Sequence, residues 1–293
     1  TPFENGIIDY ESYGRLIEHQ INSDVTGVVI LGTTSESPTL GENEKYELVQ
    51  YVYNRLVNTE KKIVVGIGGN NTIDTLNFAL LVKDLCNYMM ITVPNYNKPN
   101  QEGIYRHFQY VCSNQQLLNI PFILYNIPSR TGVNMLPSTV ERLYNDFENI
   151  KAIKEASGDM SQVIDIKNRC NIKIFSGDDL MTIPVTSIGG SGTISVLSNI
   201  LPNETYSLYR LCKLNDYTRA NRLHFTLHYL IKALFMDSNP VPGKELLNYI
   251  NIFTTNNVRL PLICLPDDKK MELVNIYNQT IEQLLNLQNY INN

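Results

Sequence analysis

The chain has 293 residues, 43% hydrophobic and 18% charged, an ordinary composition for a globular protein with a sizeable core. Its 24 Lys and Arg against 29 Asp and Glu give a formal charge of −5 with no basic run to track a phosphate backbone, which argues against nucleic acid and anionic membranes as partners. No apolar stretch approaches the ~20 residues that span a bilayer, and Thr1-Pro2-Phe3-Glu4-Asn5 has neither the basic nor the apolar region of a signal peptide, so a cytoplasmic protein is expected.

Along the chain, strand-like apolar runs at 26–31, 63–67, 88–93, 122–125, 150–154, 172–175 and 192–196 alternate with helix-period segments. Those segments fall at 10–23, 42–58, 73–85, 102–116, 137–147, 160–170 and 179–187. Gly41-Glu42-Asn43-Glu44 sets acidic residues in a helix's first turn, where the helix dipole favours them. Strands joined through helices run parallel, and continuous Val/Ile runs mark them as covered on both faces. Glycine-bearing motifs follow most of the strands rather than only the first, which predicts a (β/α)8 TIM barrel over a doubly wound sheet. Only seven strands are legible, so the barrel's first strand is expected to be absent or to lie upstream of Thr1. From residue 199 the pattern turns purely helical, at 202–214, 216–236, 242–251 and 268–290, with the breaker Asn239-Pro240-Val241-Pro242-Gly243 between two of these. The expected division is a barrel carrying the active site over 1–215 and a small C-terminal helical domain over 216–293.

In a barrel of this kind the loops after the strands' C-terminal ends build the active site. The strand at 150–154 runs into Ser157-Gly158-Asp159, and period-two alternation sets Ile150, Ala152 and Lys154 on one face. Burial there penalises an ammonium and frees some amine to add to a ketone, whereas a lysine that snorkels from the strand end is the plain alternative. Thr33-Thr34 either binds a carboxylate through hydroxyls and backbone N–H groups or caps a helix. Tyr125 ends a strand and Tyr96 closes Pro94-Asn95-Tyr96-Asn97; such tyrosines pack or relay protons. Arg130, in Pro128-Ser129-Arg130-Thr131-Gly132, suits a bidentate carboxylate clamp or a surface ion pair. The glycine runs 66–69 and 189–192 match no phosphate-loop pattern and are read as close backbone packing. No strand end carries a histidine, since all four (His19, His107, His224, His228) fall on helices, which disfavours a histidine-centred mechanism. The five cysteines are widely spaced, with no CxxC and no Cys/His cluster, and are expected to be reduced thiols rather than a disulfide framework or a metal site.

Gly32-Thr33-Thr34-x-Glu36-Ser37, Tyr125-Asn126-x-Pro128-Ser129-Arg130-Thr131-Gly132, Lys154-Glu155-Ala156-Ser157-Gly158, Ser176-Gly177-Asp178-Asp179 and Asn239-Pro240-x-Pro242 occur in this order. With these motifs the chain resembles the dihydrodipicolinate synthase family of pyruvate-dependent class I aldolases over nearly its whole length. The resemblance implies that Lys154 forms a Schiff base with pyruvate and that Tyr125 moves protons beside it. Thr33 and Tyr96 would complete the relay, with Tyr96 reaching into a neighbouring subunit's site. Thr34 would hold the pyruvate carboxylate, Arg130 would meet the carboxylate of aspartate semialdehyde, and backbone groups of Gly177 and Ile194 would line the pocket. It further implies a homotetramer built as a dimer of dimers, and chemistry that needs no metal or organic cofactor. Ser35 stands where the family usually has glycine and Asn95 replaces a common tyrosine. Glu42 and Lys45 occupy positions that are histidines in lysine-inhibited relatives, so weakened feedback is expected, with Asn70 and Asp74 as remnants of that site. N-acetylneuraminate lyase and keto-deoxy-sugar aldolases share the lysine and tyrosine, but Arg130 favours a short carboxylated aldehyde over a polyol. A non-catalytic keto-acid-binding homologue is the remaining alternative.

Overall fold

The computed structural model describes residues 1–291. Its first strands are a tight hairpin, β1 (Phe3–Glu4) antiparallel to β2 (Ile7–Ile8). Asn5 and Gly6 lie between them with φ of 50° and 79°. Positive φ at both turn residues gives a bend whose twist matches the flanking strands, and Asn-Gly adopts it at little steric cost.

Seven further strands follow: β3 (Gly27–Ile30), β4 (Lys62–Gly66), β5 (Tyr88–Thr92), β6 (Phe122–Asn126), β7 (Ile150–Glu155), β8 (Lys173–Ser176) and β9 (Gly192–Thr193). They form one sheet in sequence order, and every neighbouring pair is parallel. A parallel neighbour requires a crossover, and helices supply it between strands: Glu42–Leu56, Thr72–Val82, Gln101–Cys112, Pro137–Asp146, Met160–Arg169 and Thr182–Ser187. Several of these starts are written in the sequence. Asn71, Asn100 and Asp159 each accept a hydrogen bond from a first-turn backbone N–H of the helix that follows.

The chain divides into two compact units. One comprises Thr26–Gly32 and Glu42–Ile194, and contains the seven-stranded sheet with its crossover helices. At its centre Met90, Ile123, Tyr125 and Ala152 form a buried cluster, with Val29, Val64, Phe175 and Ile194 packed against it. Backbones approach closely here, as read from the glycine runs. A Cβ on Gly66 would lie 2.5 Å from the Leu31 carbonyl oxygen, and one on Gly68 would lie 2.3 Å from the Thr92 nitrogen.

The other unit is discontinuous: Thr1–Val25, Thr33–Gly41 and the chain from Ser195. Its helices are Tyr10–Ile21, Pro202–Lys213, Tyr217–Ala233, Val241–Tyr249 and Asp267–Ile291. Polar contacts across long sequence separations tie its pieces together. Arg15 donates from Nε to the Ile252 carbonyl at 2.8 Å, Thr255 Oγ1 donates to the Phe3 carbonyl at 2.6 Å, and Arg259 Nη2 donates to the Gly6 carbonyl at 2.7 Å. No helix among the described residues is long and apolar enough to cross a membrane.

Candidate active site

β6 and β7 set the geometry. Their register pairs Tyr125 with Lys154 and Asn126 with Glu155, while Lys154 pairs onward with Phe175 and Tyr125 back with Thr92. Because side chains alternate between faces, one pair points to the buried cluster and the next to the opposite side. Tyr125 is buried within the cluster and Lys154 is half-buried at the strand end, its Nζ 4.4 Å from the Tyr125 ring centroid. A cation at that range is attracted by the ring face, which orients the lysine head toward the phenol-bearing side chain.

β8 closes on the same level. Gly177 follows it, and its N–H donates to the Glu155 carbonyl at 2.8 Å. A Cβ there would lie 3.1 Å from the Lys154 Cε and 2.5 Å from the Ala156 Cβ, so only glycine leaves the lysine stem its path. Ile194 follows β9, donates its N–H to the Ser176 carbonyl at 2.9 Å, and packs on the cluster that holds Tyr125. Lys154, Tyr125, Gly177 and Ile194 thus gather at one end of four adjacent strands.

Glu155 faces away from Lys154 and is buried. Its carboxylate accepts from Asn126 Nδ2 at 3.0 Å, Ser157 N at 2.7 Å and Gln162 Nε2 at 3.2 Å. Asn126 in turn accepts from the Met135 N–H at 3.0 Å and donates to Asn134 at 2.7 Å. The residues directly after the tyrosine and the lysine are therefore bonded to each other and to the loops behind the sheet, which pins the two strand ends at a common height. Glu155→Ala would leave several buried donors without an acceptor, and a loss of stability of about 3 kcal/mol is expected. Urea unfolding would measure it; a midpoint unchanged from the native chain would contradict that reading.

Thr33 and Thr34 occupy a 3₁₀ turn, Thr33–Ser35, in the other unit. Ser35 sits inside this turn, and left-handed backbone comes one residue later, at Glu36 with φ of 56°. The serine that departs from the usual glycine is thereby accommodated. Asn239 Nδ2 donates to Thr34 Oγ1 at 3.0 Å.

Residues 1–280 match the dihydrodipicolinate synthetase family. A 4-hydroxy-tetrahydrodipicolinate synthase of Methanococcus aeolicus is 37% identical over 93% of each chain. Among solved structures, the 4-hydroxy-tetrahydrodipicolinate synthase of Methylacidiphilum fumariolicum SolV superposes with a TM-score of 0.93 at 36% identity, covering 98% of this chain and 95% of that one. The dihydrodipicolinate synthase of Aquifex aeolicus superposes with a TM-score of 0.91 at 35% identity over 96% of each.

The chain belongs to the dihydrodipicolinate synthetase family. Its fold is accordingly the α/β barrel of that family followed by a helical C-terminal region, with seven barrel strands paired among the described residues.

Two of the family-motif residues are exposed. Tyr96 is 84% exposed and carries a positive φ of 64°. A bulky residue in left-handed backbone is strained, and such strain persists where the side chain's direction has a use. Arg130 is exposed on a one-turn helix, Pro128–Thr131, which ends at Gly132 in the left-handed conformation. That helix is too short to leave a periodic trace in the sequence. Glu155 and Asn126 carry structural weight that the motif reading did not assign; the available signal was their position directly after Lys154 and Tyr125.

The histidines lie on helices, as read from the pattern. His107 is buried with Nδ1 2.8 Å from Thr72 Oγ1, and burial pushes its pKa down to about 4, so it is neutral at pH 7. The cysteines are free thiols, and burial pushes Cys86 up to about 12.

Proposed function

We propose that this chain is a Schiff-base-forming lyase that condenses pyruvate with L-aspartate 4-semialdehyde to give 4-hydroxy-tetrahydrodipicolinate, a reaction of lysine and diaminopimelate biosynthesis. The observation that carries the reading is the Lys154 amine held 4.4 Å from the Tyr125 ring at the ends of adjacent parallel strands. The names of the family relatives support it.

The Lys154 amine attacks the pyruvate ketone, and proton transfers through Tyr125 turn the carbinolamine oxygen into departing water. The resulting iminium draws electrons from the methyl carbon, which loses a proton to give an enamine. That carbon attacks the semialdehyde's aldehyde, and the aldehyde oxygen takes up a proton. The amino group of the condensed product then attacks the iminium carbon and displaces Lys154 as the ring closes. Splitting one carbanion step into several covalent ones lowers each barrier. Thr33 and Tyr96 extend the proton relay from Tyr125, and Thr34 binds the pyruvate carboxylate. Arg130 binds the semialdehyde carboxylate, and Gly177 and Ile194 line the pocket through their backbones. The reaction so written draws on no metal or organic cofactor.

The outward-held Tyr96 supports assembly in which this side chain serves a neighbouring copy, and a homotetramer arranged as a dimer of dimers is proposed. A cytoplasmic location, and a division into a barrel over 1–215 and a helical domain over 216–293, belong to the same proposal. The test is borohydride trapping of the native chain with pyruvate, followed by assays of condensation with aspartate semialdehyde and of sialic acid cleavage side by side. Trapping and condensation without cleavage are expected; cleavage alone would make the chain a sugar-acid aldolase.

Feedback by lysine is expected to be weak. Glu42 and Lys45 open the helix Glu42–Leu56 where lysine-inhibited relatives carry histidines, and Asp74 is engaged by Asn71 Nδ2 at 2.8 Å. Half-inhibition is expected well above ~1 mM lysine, an affinity equivalent to roughly −4 kcal/mol. A titration giving half-inhibition at or below that concentration would overturn this.

A further inference from the structure

The loop that carries Thr33 and Thr34 is held by side chains more than 200 positions away along the chain. Asn239 Nδ2 donates to Thr34 Oγ1 at 3.0 Å across a separation of 205 residues. Two residues beyond Thr34, Glu36 accepts from Lys244 Nζ at 2.6 Å and from the Arg259 N–H at 2.9 Å. The Lys244 and Glu36 side chains are 3% and 1% exposed. Glu36 also donates its own N–H to the Thr33 carbonyl at 3.1 Å, so fixing its carboxylate fixes the turn that holds both threonines. Arg259 Nη1 reaches the Thr39 carbonyl at 2.9 Å and holds the far end of the same segment.

A buried ion pair adds little net stability over an apolar replacement, because desolvation offsets its attraction. What it supplies is a defined geometry, and here that geometry is the turn that holds Thr34. The amide of Asn239 adds direction. A threonine hydroxyl has a single O–H to donate, and an amide nitrogen can only donate to it. With the acceptor side of Thr34 Oγ1 occupied by Asn239, its proton is left to point elsewhere.

We propose that Asn239, acting on a loop fixed by the Glu36–Lys244 pair, is a positioning residue that keeps the Thr34 hydroxyl a hydrogen-bond donor toward the keto-acid carboxylate. This rests on the proposed function, which assigns that carboxylate to Thr34. An aspartate at 239 would reverse the arrangement. Its carboxylate would take the Thr34 proton, and the hydroxyl would then present lone pairs to an anion.

The experiment measures the pyruvate dependence of borohydride trapping at Lys154, and KM for both substrates, in the native chain, Asn239→Asp, Asn239→Ala and the double variant Glu36→Gln/Lys244→Met. In Asn239→Asp the half-saturating pyruvate concentration is expected to rise about 10- to 100-fold, the equivalent of one charge-assisted hydrogen bond. KM for the aldehyde should stay within about twofold, since its carboxylate is assigned to Arg130. Asn239→Ala, which leaves the hydroxyl free to turn, should raise it less. The double variant removes both charges at once and should move the pyruvate term in the same direction with the fold retained. Preference for pyruvate over its neutral amide, pyruvamide, should shrink in Asn239→Asp, a change that general loosening of the fold does not produce. Should Asn239→Asp fail to fold, Asn239→Ala and the double variant carry the test on the same readouts. Native-like pyruvate dependence in the folded variants, or an equal rise in KM for both substrates, overturns the proposal alone. A native chain that is never trapped overturns the functional reading and this proposal with it.

Discussion

Lys154→Ala is expected to abolish both the borohydride-trapped pyruvate adduct and turnover, with the fold intact. Alanine has no amine, so neither carbinolamine nor iminium can form, and every later step depends on the iminium as electron sink. Lys154→Arg should be as inactive, because a guanidinium stays protonated and is a poor nucleophile although it keeps the charge. Loss of fold is not the cause expected, since the lysine sits half-buried at a strand end and its removal leaves the bonds between Asn126 and Glu155 in place. Intact-mass spectrometry after reduction reads the adduct, and a condensation assay reads turnover. An adduct of native abundance in Lys154→Ala would end the assignment and direct the search to another amine.

Tyr125→Phe should lower kcat by roughly 10²- to 10⁴-fold, the range for losing a positioned acid–base group. The ring that faces the Lys154 head remains, so the amine should keep its orientation and still be trapped by borohydride, only more slowly. KM for pyruvate should change little, which separates a lost proton transfer from lost binding. Tyr125→Ala serves as the contrast. The side chain is buried among Met90, Ile123 and Ala152, and removing it should cost about 3–5 kcal/mol of stability as well as activity. If Tyr125→Phe retained native kcat, the phenol would be a packing residue after all.

Much of this architecture is written locally. Strands such as Ile63-Val64-Val65 announce themselves because a strand covered on both faces needs no polar alternation. Helix starts are equally plain where Asn71 or Asp159 caps the first turn. Other features elude pattern reading for definite reasons. The Asn5-Gly6 hairpin carries its signal in two residues flanked by strands of two each, too short for any period. The apolar pattern predicts a strand over 192–196, but β9 extends only over Gly192–Thr193, and the 3₁₀ segment Leu197–Asn199 follows. The places of Lys154 and Tyr125 at neighbouring strand ends are legible from the sequence pattern. That pattern does not show why they stand level, because Glu155 meets Asn126 and Gln162 only once three separate segments have folded. The link from Asn239 to Thr34 is of the same kind, since no local rule connects residues 205 apart.

The pairing of β6 with β7 is irregular at its start: Phe122 faces Ile150, but Ile123 faces Ala152, and Lys151 is passed over. Counted straight on from Ile150, Tyr125 would stand opposite Ile153, and Lys154 would turn its amine to the outer side of the sheet. Skipping Lys151 is what brings Lys154 level with Tyr125, much as a single tooth sets the phase of two meshed gears. Deleting Lys151 should therefore be tolerated, since Ile123 then meets Ala152 without a skip and Tyr125 still faces Lys154, whereas deleting Ile153, beyond the skip, would bring Lys154 opposite Leu124 and should silence the enzyme as thoroughly as losing the amine.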